Sequence, residues 1–176
     1  MHVRTMAKAE CVKVLAGNRL VRLACVHDGR PYIVPIHVVR EENHLYAFSM
    51  PGQKIEWMRR NPRVCVEVEE HGGDRGWKSV VADGLYEELD ALPEHERLRY
   101  HAWSLLSQYA NWWEPGSLKL VAPEISDHSS HVFFRIWIEG MTGREAVEDD
   151  AAPNATGERP ASPFSKATRW LTGRRL

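Results

Sequence analysis

Hydrophobic and polar residues alternate along several short stretches of the chain, and this alternation predicts a protein built mainly from β-strands. The clearest case is Val64, Val66 and Val68, which are separated by polar or small residues over 63–69. A period of two places one side of such a strand against a core and the other toward solvent. Six further strands are predicted, over 19–27, 31–40, 77–89, 118–121 and 132–139 and from His44 to the break at Met50.

Short turns join the first of these strands. Asp28-Gly29 is a strong hairpin turn, and Glu41-Glu42-Asn43 supplies another. Strands in meander order favour an antiparallel sheet, which often closes as a barrel. Within 77–89, Asp83-Gly84 predicts a bend or a bulge.

Three segments have helical rather than alternating spacing. A first helix is predicted over 8–16, because an apolar stripe there is followed by the helix stop Gly17-Asn18. A short second helix places Ile55 and Met58 on one face and ends before Pro62. The third, over 93–109, has the most regular helical pattern in the chain.

Composition fits one globular domain followed by a tail. A chain of 176 residues that is 43% hydrophobic can bury a core of its own. We predict a domain over 1–146 and a disordered tail over 147–176, where the sequence EDDAAPNATGERPASP is small, acidic and proline-containing. The terminal PFSKATRWLTGRRL is either a frayed end or a peptide that docks on a partner.

Charge and cysteine usage exclude several functional classes. With 23 basic and 24 acidic residues, the net charge of −1 provides no basic field, so nucleic acid is not an expected partner. The three cysteines are far apart in the sequence and form no CxxC motif. This pattern indicates buried thiols in a reducing compartment and not disulfides or a metal site. The sequence has neither a signal-peptide core nor an apolar run long enough for a membrane. These features predict a cytoplasmic protein with no membrane partner.

The candidate chemistry lies between the central strand and the second helix. Ser49, Gly52, Gln53 and Lys54 combine a hydroxyl, an approachable backbone, a helix start and a cation. Helix N-termini with such neighbours bind phosphate groups. The alternative is a polar turn with a solvated lysine, because short anion-loop patterns have many false positives.

Three blocks carry a resemblance to a known family. They are DGRPYIVPIHVV, LYAFSMPGQKIEWMRRNPRVCVEVEE and GWKSVVADGLYEEL, and in this order they resemble the pyridoxamine 5'-phosphate oxidase-related, FMN-binding split-barrel superfamily, in particular its nitroimidazole-resistance-type branch. The likeness spans about 6–144. It implies an antiparallel, Greek-key-type split β-barrel of six to seven strands with flanking helices. It also implies a homodimer with FMN at the subunit interface.

By the same resemblance, we expect an FMN-dependent oxidoreductase that acts on a small planar or heteroaromatic substrate. Its cofactor site would include Arg22, Pro35, Ile36, His37, Phe48, Ser49, Gly52, Gln53, Lys54, Trp77 and Ser79. Several of these have simpler interpretations. Arg22 can point outward without a function, His37 can be an ordinary strand histidine, and Trp77 can belong to the core.

Phe48 departs from the pattern of the nitroimidazole-resistance branch, whose members often have a histidine at this position. A phenylalanine cannot transfer a proton. A flavin-binding protein without turnover therefore remains an alternative, as do a haem-binding protein of this fold and binding of a deazaflavin. The sequence DHSSH contains two histidines and one aspartate, which is weak evidence for a metal site without a third well-placed ligand. We therefore predict no metal at His128 and His131.

Other nearby residues have less specific expectations. Arg59 and Arg60 are predicted to lie on a solvated helix end, where cations suit the dipole. Trp112 and Trp113, in NWWEPGS, cap the pocket or anchor their own loop. We expect that loop or the strand of Trp77 near the dimer interface.

Overall fold

The structure is a computed structural model that describes residues 1–72, 76–90, 92–109 and 131–147. Within these residues the chain forms eight strands, three α-helices and one 3₁₀ turn. The strands are β1 (His2–Thr5), β2 (Leu20–His27), β3 (Arg30–His37), β4 (Val39–Glu41), β5 (His44–Ser49), β6 (Arg63–His71), β7 (Trp77–Leu89) and β8 (Val132–Val147). The helices are α1 (Lys8–Gly17), α2 (Gln53–Arg60) and α3 (Glu96–Ser107), the last preceded by the 3₁₀ turn Pro93–His95.

The strands form one antiparallel sheet in the order β3-β2-β6-β7-β8-β5-β4, with β1 paired to β8. This confirms the predicted class, a mainly β split-barrel fold with flanking helices. Strands β3 and β4 are the two ends of this order, so the hydrogen-bonded ladders of the described strands do not close into a ring.

The predicted strand over 31–40 is wrong in one respect, because it is two strands. Strand β3 pairs with β2, whereas β4 pairs with β5. Between them, the buried Val38 donates its backbone N–H to the carbonyl oxygen of Arg19 at 2.8 Å. The chain changes partner at this residue, a break that apolar spacing alone does not reveal.

Strand β8 is longer than predicted and continues to Val147 instead of ending near 139. Its second half is polar on one side, yet it is held between β1 and β7, where Arg144 lies opposite both Thr5 and Ser79. The predicted short strand over 118–121 and the tail after Val147 lie outside the described residues.

The predicted bulge in β7 is confirmed, since the register with β8 shifts between Asp83 and Gly84. A Cβ atom at Gly84 would lie 2.5 Å from the carbonyl oxygen of Trp137. Real Cβ atoms do not approach backbone that closely, so glycine is required at this point.

Each helix packs against a different part of the sheet and covers the core there. Helix α1 buries Cys11, Val14 and Leu15, and α2 buries Ile55 and Met58 completely. Helix α3 packs its apolar face over a second cluster near β5 and β8, formed by Tyr46, Phe48, Leu89, Ala102, Leu106 and Phe133. Among the described residues, no helix is both long and apolar enough to cross a membrane.

Candidate functional site

The predicted phosphate loop lies where β5 ends and α2 begins. Ser49 is the last residue of β5, and Gly52 precedes the first helical residue, Gln53. No side chain caps this helix start, whose first internal hydrogen bond runs from the Glu56 N–H to the Gly52 carbonyl oxygen. Within the described part of the chain, the first-turn N–H groups are therefore without a side-chain cap and can face an anion.

Lys54 is the candidate cation of this loop. Its side chain is half-buried, and it makes no hydrogen bond or ion pair within the described part of the chain. Burial lowers the pKa of Lys54 below its ordinary value, and the nearby Cys25 thiol has the opposite, smaller influence. An ammonium group that is partly desolvated and has no counter-ion gains most from a bound anion.

Packing fixes where Lys54 lies. Ile55 and Met58, on the neighbouring face of α2, are fully buried in the main core. Beside Lys54, a Cβ atom at Gly52 would have open space around it, so a ligand can approach the backbone there. The Ser49 hydroxyl donates to the Met50 carbonyl oxygen at 2.8 Å, and it would have to rotate to donate to a ligand instead.

A second group of predicted residues lies elsewhere, on the outward face of the sheet. Arg22 pairs with Glu67 at 3.2 Å and with Glu69 at 2.8 Å. The Ser79 hydroxyl donates to the same Glu67 carboxylate at 2.9 Å. Arg22 and Cys25 are an odd number of residues apart in β2, so they point to opposite faces of the strand. In one chain, Arg22 and Ser79 therefore do not join Lys54.

Trp77 is also far from Lys54 within one chain. It begins β7 opposite His71, whereas Cys25, the neighbour of Lys54, pairs with Val64 of the intervening strand β6. Val64 and His71 are seven residues apart along β6, which corresponds to roughly 20 Å. Trp77 is only partly buried and lines a surface cleft at that end of the sheet.

The predicted segment at the end of β3 divides between two environments. Pro35 is exposed, Ile36 is buried in the core, and His37 lines a small cavity together with Phe48. Burial lowers the pKa of His37 from its ordinary value, which keeps the imidazole neutral at pH 7. Sequence reasoning missed the other residues around this cavity: Arg19, Val38, Val39, Leu106 and Tyr109.

Phe48 is buried and packs edge-on against His131, with ring centroids 5.6 Å apart. The centroid of its ring also lies 5.8 Å from that of the Phe133 ring. Within the described ranges, no group of three His, Cys, Asp or Glu side chains could hold a metal ion. His128, Trp112, Trp113 and the NWWEPGS loop lie outside the described residues.

The arginines at the end of α2 differ from each other. Arg60 is exposed and lies 3.0 Å from the His27 Nε2 atom. Arg59 lies exposed in the last turn of α2, as predicted, but it also binds Glu88 of β7 through two hydrogen bonds of 2.7 Å. No spacing rule could have revealed this contact, which depends on how α2 lies across the sheet.

Comparisons with known proteins agree with this architecture. The protein-family model described as pyridoxamine 5'-phosphate oxidase matches residues 7–145. An uncharacterized protein of Rhizobium meliloti (strain 1021) is 53% identical over 146 residues, which cover 83% of this chain and 97% of that protein.

Two solved structures are also similar. A crystal structure described as an FAD-binding protein from Mesorhizobium loti is 58% identical with a TM-score of 0.70, covering 84% of this chain and 100% of the other. A proposed 5-nitroimidazole antibiotic resistance protein from Bacteroides thetaiotaomicron has a TM-score of 0.63 over 82% of this chain and 89% of its own, but only 18% identity. The second likeness therefore shows the fold alone.

Proposed function

Because the chain belongs to the pyridoxamine 5'-phosphate oxidase family, we propose that it binds a flavin whose phosphate lies at the start of α2. The observation that carries this proposal is Lys54, a half-buried ammonium without a partner among the described residues, beside an uncapped helix start. A phosphate there would accept charge-assisted hydrogen bonds from Lys54 and from the first-turn N–H groups.

The proposed flavin is FMN. One short loop offers one phosphate cradle, and the sequence has no GxGxxG fingerprint for a dinucleotide. The Mesorhizobium loti relative is described as an FAD-binding protein, and this favours FAD as the second candidate. Extraction of the chromophore from purified protein and its mass would distinguish the two. Protein that is colourless and does not take up added flavin would contradict both.

We further propose that the working unit is a homodimer. The outward face of β2 and β3 exposes large apolar side chains, with Leu20 at 52%, Val26 at 42% and Ile33 at 64%. Such a patch commonly marks a protein interface. The candidate residues of one chain fall into two separated groups, and a second copy could bring the Arg22 and Ser79 group of one chain to the Lys54 group of the other.

For turnover, the proposed activity is oxidation or reduction of a small planar or heteroaromatic substrate. A bound flavin would supply hydride or electron transfer, while the chain supplies position and electrostatics. His37 is neutral at pH 7 and could donate or accept one hydrogen bond at the cavity it lines. Phe48 provides an apolar wall and no proton.

A flavin-binding protein without turnover is the alternative, and Phe48 favours it. Steady-state assays with NADH or NADPH and a panel of acceptors would separate the two functions. Bound flavin that no nicotinamide donor reduces would support a carrier or sensor. Haem binding remains a third candidate, and titration with haem would produce a Soret band if it were correct.

A further inference from the structure

A small cavity lies between the end of β3, strand β5 and the residues that follow α3. It has a volume of about 20 Å³, which holds roughly one water-sized group. Its lining is mostly apolar but includes one guanidinium and one imidazole. The lining residues are Arg19, His37, Val38, Val39, Phe48, Leu106 and Tyr109.

Arg19 is held at this cavity by an aromatic ring. Its Cζ atom lies 3.2 Å from the centroid of the Tyr109 ring. No hydrogen bond or ion pair holds the guanidinium within the described part of the chain, whereas Arg22, Arg59 and Arg135 all bind carboxylates. A stacked guanidinium keeps its N–H edges available, and one of these N–H groups can donate a charge-assisted hydrogen bond to a carboxylate oxygen.

The other residues that line the cavity indicate the chemistry of the ligand that carries this carboxylate. Val38, Val39 and Leu106 are apolar, and Phe48 presents an aromatic ring. His37 adds a neutral hydrogen-bonding group and not a second cation, because burial disfavours its charged form. One cation in an apolar setting suits a singly charged acid with an apolar body better than a phosphate.

We propose that this cavity receives the carboxylate of a small aromatic or heteroaromatic acid, with Arg19 as the residue that binds the acid group. The cavity fits one carboxylate oxygen and not a whole ring, so the ring would lie at its mouth. The assignment rests on the proposed function, since His37 and Phe48 belong to segments that are also assigned to the flavin. It narrows the substrate class from planar molecules to planar carboxylates.

The test uses the full-length protein saturated with FMN, so that the Lys54 site is occupied. Nicotinate and benzoate are titrated by calorimetry and by the change in flavin absorbance, with nicotinamide and benzamide as neutral counterparts. We expect each acid to bind at least about tenfold more tightly than its amide, the value of one charge-assisted hydrogen bond. Arg19→Gln should remove this preference and leave FMN affinity unchanged.

Arg30→Gln is the matched control, because Arg30 is exposed at the start of β3 and far along the strand from His37. It should bind the acids like the parent. Arg19→Lys, a second variant in case Arg19→Gln does not fold, keeps the charge but not the planar stack, and should retain only part of the preference.

Three results would overturn the assignment: equal binding of acid and amide by the parent, unchanged acid binding by Arg19→Gln, or joint loss of FMN and acid binding in that variant. Failure of the flavin proposal would appear separately, as a parent protein that does not bind FMN. The preference for acid over amide would then be measured on the flavin-free protein, where the first two of these outcomes decide it.

Discussion

Arg59 of α2 and Glu88 of β7 form a bidentate ion pair, with the Nε–Oε2 and Nη2–Oε1 distances both 2.7 Å. The Tyr86 hydroxyl donates to the same carboxylate at 2.8 Å. Hydrogen bonding from Arg59 lowers the pKa of Glu88, so the carboxylate stays charged at neutral pH. This contact attaches the helix that carries Lys54 to the centre of the sheet.

Arg59→Ala should therefore destabilise the fold, while Arg60→Ala should not. Arg59 is half-exposed, which limits the loss in unfolding free energy to about 1 kcal/mol. Arg60 is exposed and lies beside the His27 ring, so its removal should cost roughly 0.5 kcal/mol or less. Urea denaturation measures both variants, and equal losses would contradict the role given to Arg59.

Gly84→Ala should disrupt the bulge of β7. Its Cβ would meet the Trp137 carbonyl oxygen at 2.5 Å and the Ile136 side chain at 2.7 Å, and backbone cannot move aside cheaply. We expect a loss of about 1–3 kcal/mol, the usual cost of overpacking. Gly140→Ala is the control, because nothing lies within 4 Å of a Cβ there. Thermal unfolding of both variants would reveal whether the predicted contrast exists.

Acid should weaken the fold partly through Glu10. Hydrogen bonds from Arg4, then from the Ala7 N–H, hold the pKa of Glu10 at about 2, below its ordinary value of 4.5. A depressed pKa means that this stabilisation is present above about pH 4.5 and is lost as pH falls toward 2. Glu10→Gln should be less stable than the parent at pH 7, and the difference should shrink by pH 2. A constant difference across urea titrations at several pH values would argue against this.

The exposed apolar patch on β2 and β3 gives a test of the dimer. Ile33→Lys places a charge on its most exposed large apolar residue, opposite Ala24 on β2. We expect a shift from dimer to monomer and a weaker affinity for FMN, because the proposed site needs both copies. Tyr100→Lys, at an exposed position of helix α3, is the control and should remain dimeric. Light scattering measures the mass, and a flavin-loaded monomer of the parent would contradict the shared site.

Local patterns predicted much of this fold. The alternation of Val64, Val66 and Val68 follows from neighbours in sequence, and so does the bulge at Gly84. Contacts between distant residues were not accessible in this way. The change of partner at Val38, the Arg59–Glu88 pair and the Arg19–Tyr109 stack all depend on how separate elements pack together.

The candidate site was predictable to a similar extent. The resemblance groups Arg22, Lys54 and Ser79 at one cofactor, but it does not say whether one chain or two provide them. In one chain, Arg22 and Ser79 meet at Glu67 on the outward face of the sheet, away from Lys54. Whether they contact a flavin is a prediction that the dimer test addresses.

The central proposal is tested most directly by titrating flavin-free protein with FMN and with riboflavin, using the quenching of flavin fluorescence as the signal for binding. Lys54→Ala should weaken FMN binding by about ten- to a hundredfold, the value of a charge-assisted hydrogen bond, and should leave riboflavin binding unchanged because riboflavin has no phosphate. Lys54→Arg should recover only part of the loss, and Arg60→Ala should bind FMN like the parent. If Lys54→Ala binds FMN as tightly as the parent, or loses FMN and riboflavin equally, the phosphate does not lie at the start of α2.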